Sequence, residues 1–124
     1  MVIASYRDLT VWQRAMELVE LVYKLTATLP REETYGLASQ LQRSVVSVPS
    51  NIAEGHARES TKEYLRYLLI ARGSMAELET QLLLCARLRL LHQDDVGQAL
   101  NSSDEVGKMI RGLQRSLNEK LKRR

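Results

Sequence analysis

One apolar register in this chain runs straight through a proline. Leu37, Leu41, Val45, Val48 and Ile52 are spaced four, four, three and four residues apart. On a helix they fall within ~80° of one another at ~100° per residue. The register does not slip at Pro49, in the stretch SVPSNIAEG that spans Ser47–Gly55. Proline has no amide hydrogen for the carbonyl of Val45, its ring crowds that carbonyl, and in a solvated helix it costs ~3 kcal/mol. Unbroken apolar phase across such a residue predicts a helix that kinks rather than stops. Ser47, Pro49, Asn51 and Gly55 are then expected to shape a packed helix end, with Gly55 as the left-handed residue that closes it. A chain with such a stripe must bury it on other helices.

The rest of the sequence supplies them. Phe is absent, Pro occurs only twice, and no β-branched run alternates with polar residues, so the expected class is all-α. A first helix is predicted over about 9–29. TVWQ offers a capping box with Thr10 as N-cap, the apolar positions are Trp12, Ala15, Met16, Val19, Val22 and Tyr23, and Pro30 closes the element. The proline-containing helix is expected over about 35–54. A third follows over about 61–91, with Ser60 and Glu63 as a reciprocal cap and Tyr64, Leu68, Ala71, Met75, Leu78 and Leu82 as its stripe. A fourth is expected over about 95–121, where acids begin the helix, NSSDE is a weak spot, and Val106, Ile110, Leu113, Leu117 and Leu121 form a narrow apolar face. Short linkers favour antiparallel neighbours, so the prediction is one up-down four-helix bundle over residues 1–124.

That size can bury a core without staples, and the lone Cys85 permits no internal disulfide. A cytoplasmic setting fits. No secretion signal and no membrane-spanning run is expected from the charge spacing. The net charge of +3 is mild, but thirteen of the eighteen basic residues are Arg, which suits phosphate or carboxylate partners.

Two features exceed what a lone bundle needs. Leu65, Leu69, Ala76 and Leu83 make a second apolar stripe on the third helix, ~100–140° from the first. It points to a partner subunit, although Arg72 interrupts it and Glu79 borders it. Gln40, Ser44, Ser47 and Asn51 form a polar strip on the second helix, read as tight packing against Gly73 and Ser74 rather than as a ligand site.

Chemistry is scarce. His56 and His92 have no helical His or Cys partner, so no metal motif forms. Cys85 sits among apolar residues, unsuited to an activated thiolate. No phosphate-cradling glycine pattern occurs. Glu79 reads as an ion-pair member, with Arg43 as the candidate partner. No catalytic residues, cofactor or small-molecule substrate are expected.

Basic residues recur at helical spacing. Lys108, Arg111, Arg115 and Lys122 fall within ~60° on the fourth helix, opposite its apolar stripe, and KLKRR extends them. Arg58, Lys62 and Arg66 step by four at the start of the third, interleaved with Glu59 and Glu63. Either set reads as a solvated charged face or as a salt-sensitive phosphate-binding surface for RNA or DNA. A protein-binding scaffold, with the charges serving solubility, is the alternative.

The stretches DLTVWQRAMELVELVYKLT, YGLASQLQRSVVSVPSNIAEGHARES and GSMAELETQL together resemble the four-helix-bundle family of 23S rRNA intervening-sequence proteins. The core VSVPSNIAEG followed by Arg58 is the most specific part. Members are encoded in insertions within large-subunit rRNA genes or as free-standing genes. The family is similar in fold to the accessory variability determinant protein of diversity-generating retroelements. That resemblance implies a homopentameric barrel of antiparallel bundles and a nucleic-acid-binding role, with no catalytic residues.

Overall fold

The structure, a computed structural model, describes residues 5–123. Among them are four long helices and no strand: α1 Thr10–Thr26, α2 Leu37–Ala57, α3 Thr61–Arg87 and α4 Gln93–Lys122. Each helix packs on the next, and α4 closes back on α1. Cross-helix bonds from Ser47 to Ser74 and from Arg58 to Tyr67 run α2 antiparallel to α3. Bonds from Ser103 to Glu79 and from Arg72 to Gln114 do the same for α3 and α4. The result is an up-down four-helix bundle.

The core is built from the expected stripes on α2, α3 and α4. Leu41, Val45, Val48 and Ile52 are fully buried, as are Leu68, Ala71, Leu78 and Leu82, and Val106 and Ile110 complete the set. On α1 the buried residues are Val11, Ala15, Leu18, Val22 and Leu25. Ala15 and Val22 belong to the predicted face, which is otherwise rotated from this one: Met16 and Tyr23 stand exposed, and Trp12 and Val19 are half-buried at the margin.

Several helix ends depart from expectation, each for a local reason. Thr10 is not the cap of α1. Ser5 and Asp8 cap a 3-10 turn over Tyr6–Asp8, and Leu9 leads into α1 without a side-chain cap. Gln13 instead donates to the Arg7 carbonyl at 2.8 Å. α1 stops at Thr26, earlier than predicted, because Thr26 and Thr28 hydroxyls donate back to the carbonyls of Tyr23 and Leu25. The Glu33 carboxylate caps α2 from outside, accepting from the Leu37 amide.

α2 then runs unbroken through buried Pro49 to Ala57. Side chains serve the carbonyls of that turn: Ser50 Oγ donates to Val46 and Asn51 Nδ2 to Ser47, both at 2.8 Å. Gly55 is not a left-handed cap. No glycine has positive φ among the described residues, and Gly55 is buried inside the helix. A Cβ there would lie 2.8 Å from Tyr67 Cβ, so the glycine exists for close approach of α3.

Ser60 caps α3, accepting from the Glu63 amide. The Glu63 carboxylate does not complete the box, because it pairs with Arg66 at 3.2 Å. α3 ends at Arg87, four residues before the predicted end. Arg89 takes the left-handed conformation at φ 58°, and the Leu90 amide donates back to Cys85 at 2.8 Å. This reversal folds Leu91 into the core. His92 caps α4, its Nδ1 accepting from the Asp94 amide. α4 is continuous through the predicted weak spot, since Ser103 is fully buried and its hydroxyl donates to Glu79.

Candidate functional site

The groove between α3 and α4 gathers the most chemistry. It encloses about 230 Å³ and is lined by Arg72, Met75, Ala76 and Glu79 from one helix and Ser103, Asp104, Gly107 and Arg111 from the other. Arg72 and Glu79 are seven residues apart, so they share a face of α3 about 10 Å apart along the axis. Small residues, Ala76 and Gly107, lie between them. Arg72 is held by its bond to the buried amide side chain of Gln114 at 3.3 Å. Glu79 accepts from Ser103 Oγ at 2.6 Å, so its partner is a serine on α4 and not Arg43. Asp104 pairs with Lys108 at 3.4 Å. Two arginines, Arg72 and Arg111, thus line the groove with two carboxylates, Glu79 and Asp104.

Of the predicted basic set on α4, Lys108, Arg111, Arg115 and Lys122 are all exposed. Their side of α4 is the flank toward α3, as the position of Arg111 in the groove shows. Only Lys108 has an ion pair among the described residues. Arg111, Arg115 and Lys122 have none, which leaves their charge available. Arg123 is exposed beyond the helix end, and Arg124 lies outside the described residues.

The second basic set is divided. Arg58 is not on α3; it follows the last residue of α2 in extended conformation. Its guanidinium donates to Tyr67 Oη at 2.9 Å and to Glu54 at 3.3 Å, and sits over the Tyr67 ring. The hydrogen bond to Glu54, then Tyr67, raises its already high pKa. Arg66 also lies over the Tyr67 ring while paired with Glu63. These two arginines brace the α2–α3 corner. Lys62 is exposed and unpaired among the described residues. Behind this corner the Tyr64 hydroxyl is buried without a partner among the described residues, and burial pushes its pKa up to about 12.

The polar strip of α2 faces α3, as packing predicts. Ser44 donates to Gln81 at 2.8 Å, Ser47 and Ser74 share a bond of 2.7 Å, and Asn51 donates to Ser47 Oγ at 2.9 Å. Over these bonds lies a depression of about 340 Å³ that includes Arg43 and Glu77, one charge of each sign. Gly73 does not contribute, since it faces open space.

The second apolar stripe of α3 points away from the core. Leu69 is 58% exposed and Leu83 50%, while Ala76 is exposed and Leu65 half-buried; Leu88, 59% exposed, follows the last residue of α3. A second apolar surface lies between α1 and α2, where Trp12, Met16, Val19, Val46, Pro49 and Ala53 line a shallow groove. Cys85 is buried, and that burial, with the Glu33 charge adding, pushes its thiol pKa up. Among the described residues no group of three or more His, Cys, Asp or Glu could hold a metal. No helix there is long and apolar enough to cross a membrane.

Arg72, Ser103 and Asp104 were invisible as site residues in the sequence. Arg72 reads there only as a break in an apolar stripe. Its seven-residue spacing from Glu79 was the available signal, but the helix opposite them is a tertiary fact.

Four helices in cyclic order, with a charged groove between α3 and α4, define an all-α four-helix-bundle protein. The 23S rRNA-intervening sequence protein family matches residues 7–112, and the chain belongs to that family. A solved protein of unknown function from the S23 ribosomal protein family of Bacteroides thetaiotaomicron VPI-5482 has the same fold. Its TM-score is 0.80 at 24% identity, over 86% of this chain and 99% of that one. No curated protein matches the chain.

Proposed function

We propose that the chain is a non-enzymatic, self-associating bundle protein of the cytoplasm that binds nucleic acid through the basic flank of α4. The observation that carries this reading is the run Arg111, Arg115 and Lys122, exposed along one flank and without ion pairs among the described residues. Surface cations without acid partners are suited to phosphates, whose counterions they displace. The family's name, which refers to sequences intervening in 23S rRNA, and the ribosomal-protein name of the Bacteroides relative favour the same partner class.

Self-association draws support from Leu69 and Leu83, which leave more apolar surface on one helix than water tolerates cheaply. A pentamer, the number implied by the resemblance, would carry about +15 and present its stripes multivalently. The same leucines favour the second reading, a scaffold that recruits a protein.

The test is a salt titration by fluorescence anisotropy against a structured RNA and a DNA duplex, with light scattering in parallel. Wild type is expected to scatter as an oligomer and to bind with a steep linear fall on log–log axes. Changing Lys108, Arg111 and Arg115 together to Glu should abolish binding and leave assembly size unaltered. No binding at low salt would remove the nucleic-acid reading and leave the scaffold. A monomer would remove the self-association.

A further inference from the structure

We infer that the α3–α4 groove is a ribonucleotide seat, in which Arg72 and Arg111 hold a backbone phosphate and Glu79 accepts the neighbouring 2′-hydroxyl. This rests on the nucleic-acid reading above and adds to it a preference for RNA over DNA.

A surface built only to attract phosphate has no use for a carboxylate, yet Glu79 lines the same groove as two arginines. Its orientation is fixed, because Oε2 accepts from the fully buried Ser103 hydroxyl at 2.6 Å. The other oxygen has no hydrogen bond among the described residues, so it retains full capacity to accept. An ionised carboxylate can only accept. The ligand atom it welcomes must therefore be a donor, and it must lie beside an anion that satisfies Arg72 and Arg111. In RNA the ribose 2′-hydroxyl is such a donor, one bond network away from the phosphate, and it is the group by which proteins tell RNA from DNA. DNA offers only carbon at that position.

The groove is suited to this in shape. Arg72 is steadied at one end by Gln114, Glu79 stands about two helical turns along the same face, and the floor between them is Ala76 and Gly107. A Cβ on Gly107 would come within 3.3 Å of an Arg111 guanidinium nitrogen, so the glycine leaves that arginine room. Asp104 also lines the groove, but its Oδ2 lies 3.4 Å from Lys108, whereas Glu79 is the carboxylate anchored across the two helices by buried Ser103.

The test compares single-stranded RNA, DNA and 2′-O-methyl RNA of one sequence, by anisotropy at fixed salt. Wild type is expected to bind RNA about tenfold more tightly than either of the others, the lower worth of one hydrogen bond to a charged group. Glu79→Ala should bring RNA down to the DNA level without weakening DNA. Arg72→Gln should weaken all three alike and lower the salt slope by about one. Equal wild-type affinity for RNA and 2′-O-methyl RNA would overturn the seat while leaving nucleic-acid binding standing, and that measurement needs no variant to fold. A preference that survives Glu79→Ala would also overturn it. Absence of binding to all three would take down both the seat and the reading beneath it.

Discussion

Helix α3 has two polar flanks, and they have opposite uses for similar residues. On the α2 side, Ser44, Ser47, Asn51, Ser74 and Gln81 bond one another across the seam. Gly55 then lets the helices close against Tyr64 and Tyr67. On the α4 side, Arg72, Glu79 and Arg111 are fixed or lodged by Gln114, Ser103 and Gly107 but keep capacity to spare. Small residues bring backbones together in the first case and hold a groove open in the second. The difference lies in whether the polar groups around them satisfy one another. Mutual satisfaction gives adhesion, and unspent charge gives a surface for something else.

The sharpest way to break this comparison is to place one methyl group in the seam. In Gly55→Ala the new Cβ would stand 2.8 Å from Tyr67 Cβ and 3.1 Å from Tyr64 Cδ1. Neither is the far end of a flexible chain, so a helix must shift. The expected loss is about 1–3 kcal/mol, the usual cost of overpacking, read as a lower urea midpoint. A variant as stable as wild type would show that the seam has slack and that Gly55 does not set its closeness.

Next in size is the bond between Ser47 and Ser74 at 2.7 Å. Ser47→Ala removes it and also the Oγ that accepts from Asn51. Ser74 is left buried with its partner gone. We expect a loss of about 1 kcal/mol. Combined with Ser74→Ala the loss should be less than additive, since both changes delete one interaction. Additive losses would mean that the two hydroxyls act separately and that the seam is held by apolar packing alone.

How far the sequence spoke for itself differs between these regions. The α2 register of Leu41, Val45, Val48 and Ile52 was legible across Pro49 because a single narrow stripe has only one way to face a core. On α1 the expected Ala15 and Val22 are in the core, but the rest of the face is rotated, because apolar residues cover more than one side of that helix. Trp12, Met16, Val19 and Tyr23 are as regularly spaced as Val11, Leu18 and Leu25, and lie about 100° round from them. Periodicity cannot choose between two such faces; packing against α2 and α4 does. Gly55 was misassigned because a glycine after a helical pattern signals a left-handed end, whereas here it serves a neighbour nine to twelve residues on. The exposed basic stripe of α4 was legible from its one-signed spacing. The groove was not, since Arg72 and Glu79 acquire meaning only from Ser103, Gly107 and Arg111 opposite them.

The smallest effect returns to glycine, on the other flank. Gly107 is buried in the middle of α4, where glycine costs about 1 kcal/mol relative to alanine in helix propensity. Its new Cβ would meet an Arg111 guanidinium nitrogen at 3.3 Å and Met75 Cε at 3.5 Å. Both are ends of flexible side chains, so they can give way. Gly107→Ala is therefore expected to raise the urea midpoint by the equivalent of at most about 1 kcal/mol, the opposite sign to the same change at Gly55. Because the cost of yielding falls on Arg111, RNA affinity should drop as the fold gains. If instead the variant is destabilised, the α3–α4 flank is as closely fitted as the seam, and the contrast between a closed and an open side of α3 fails.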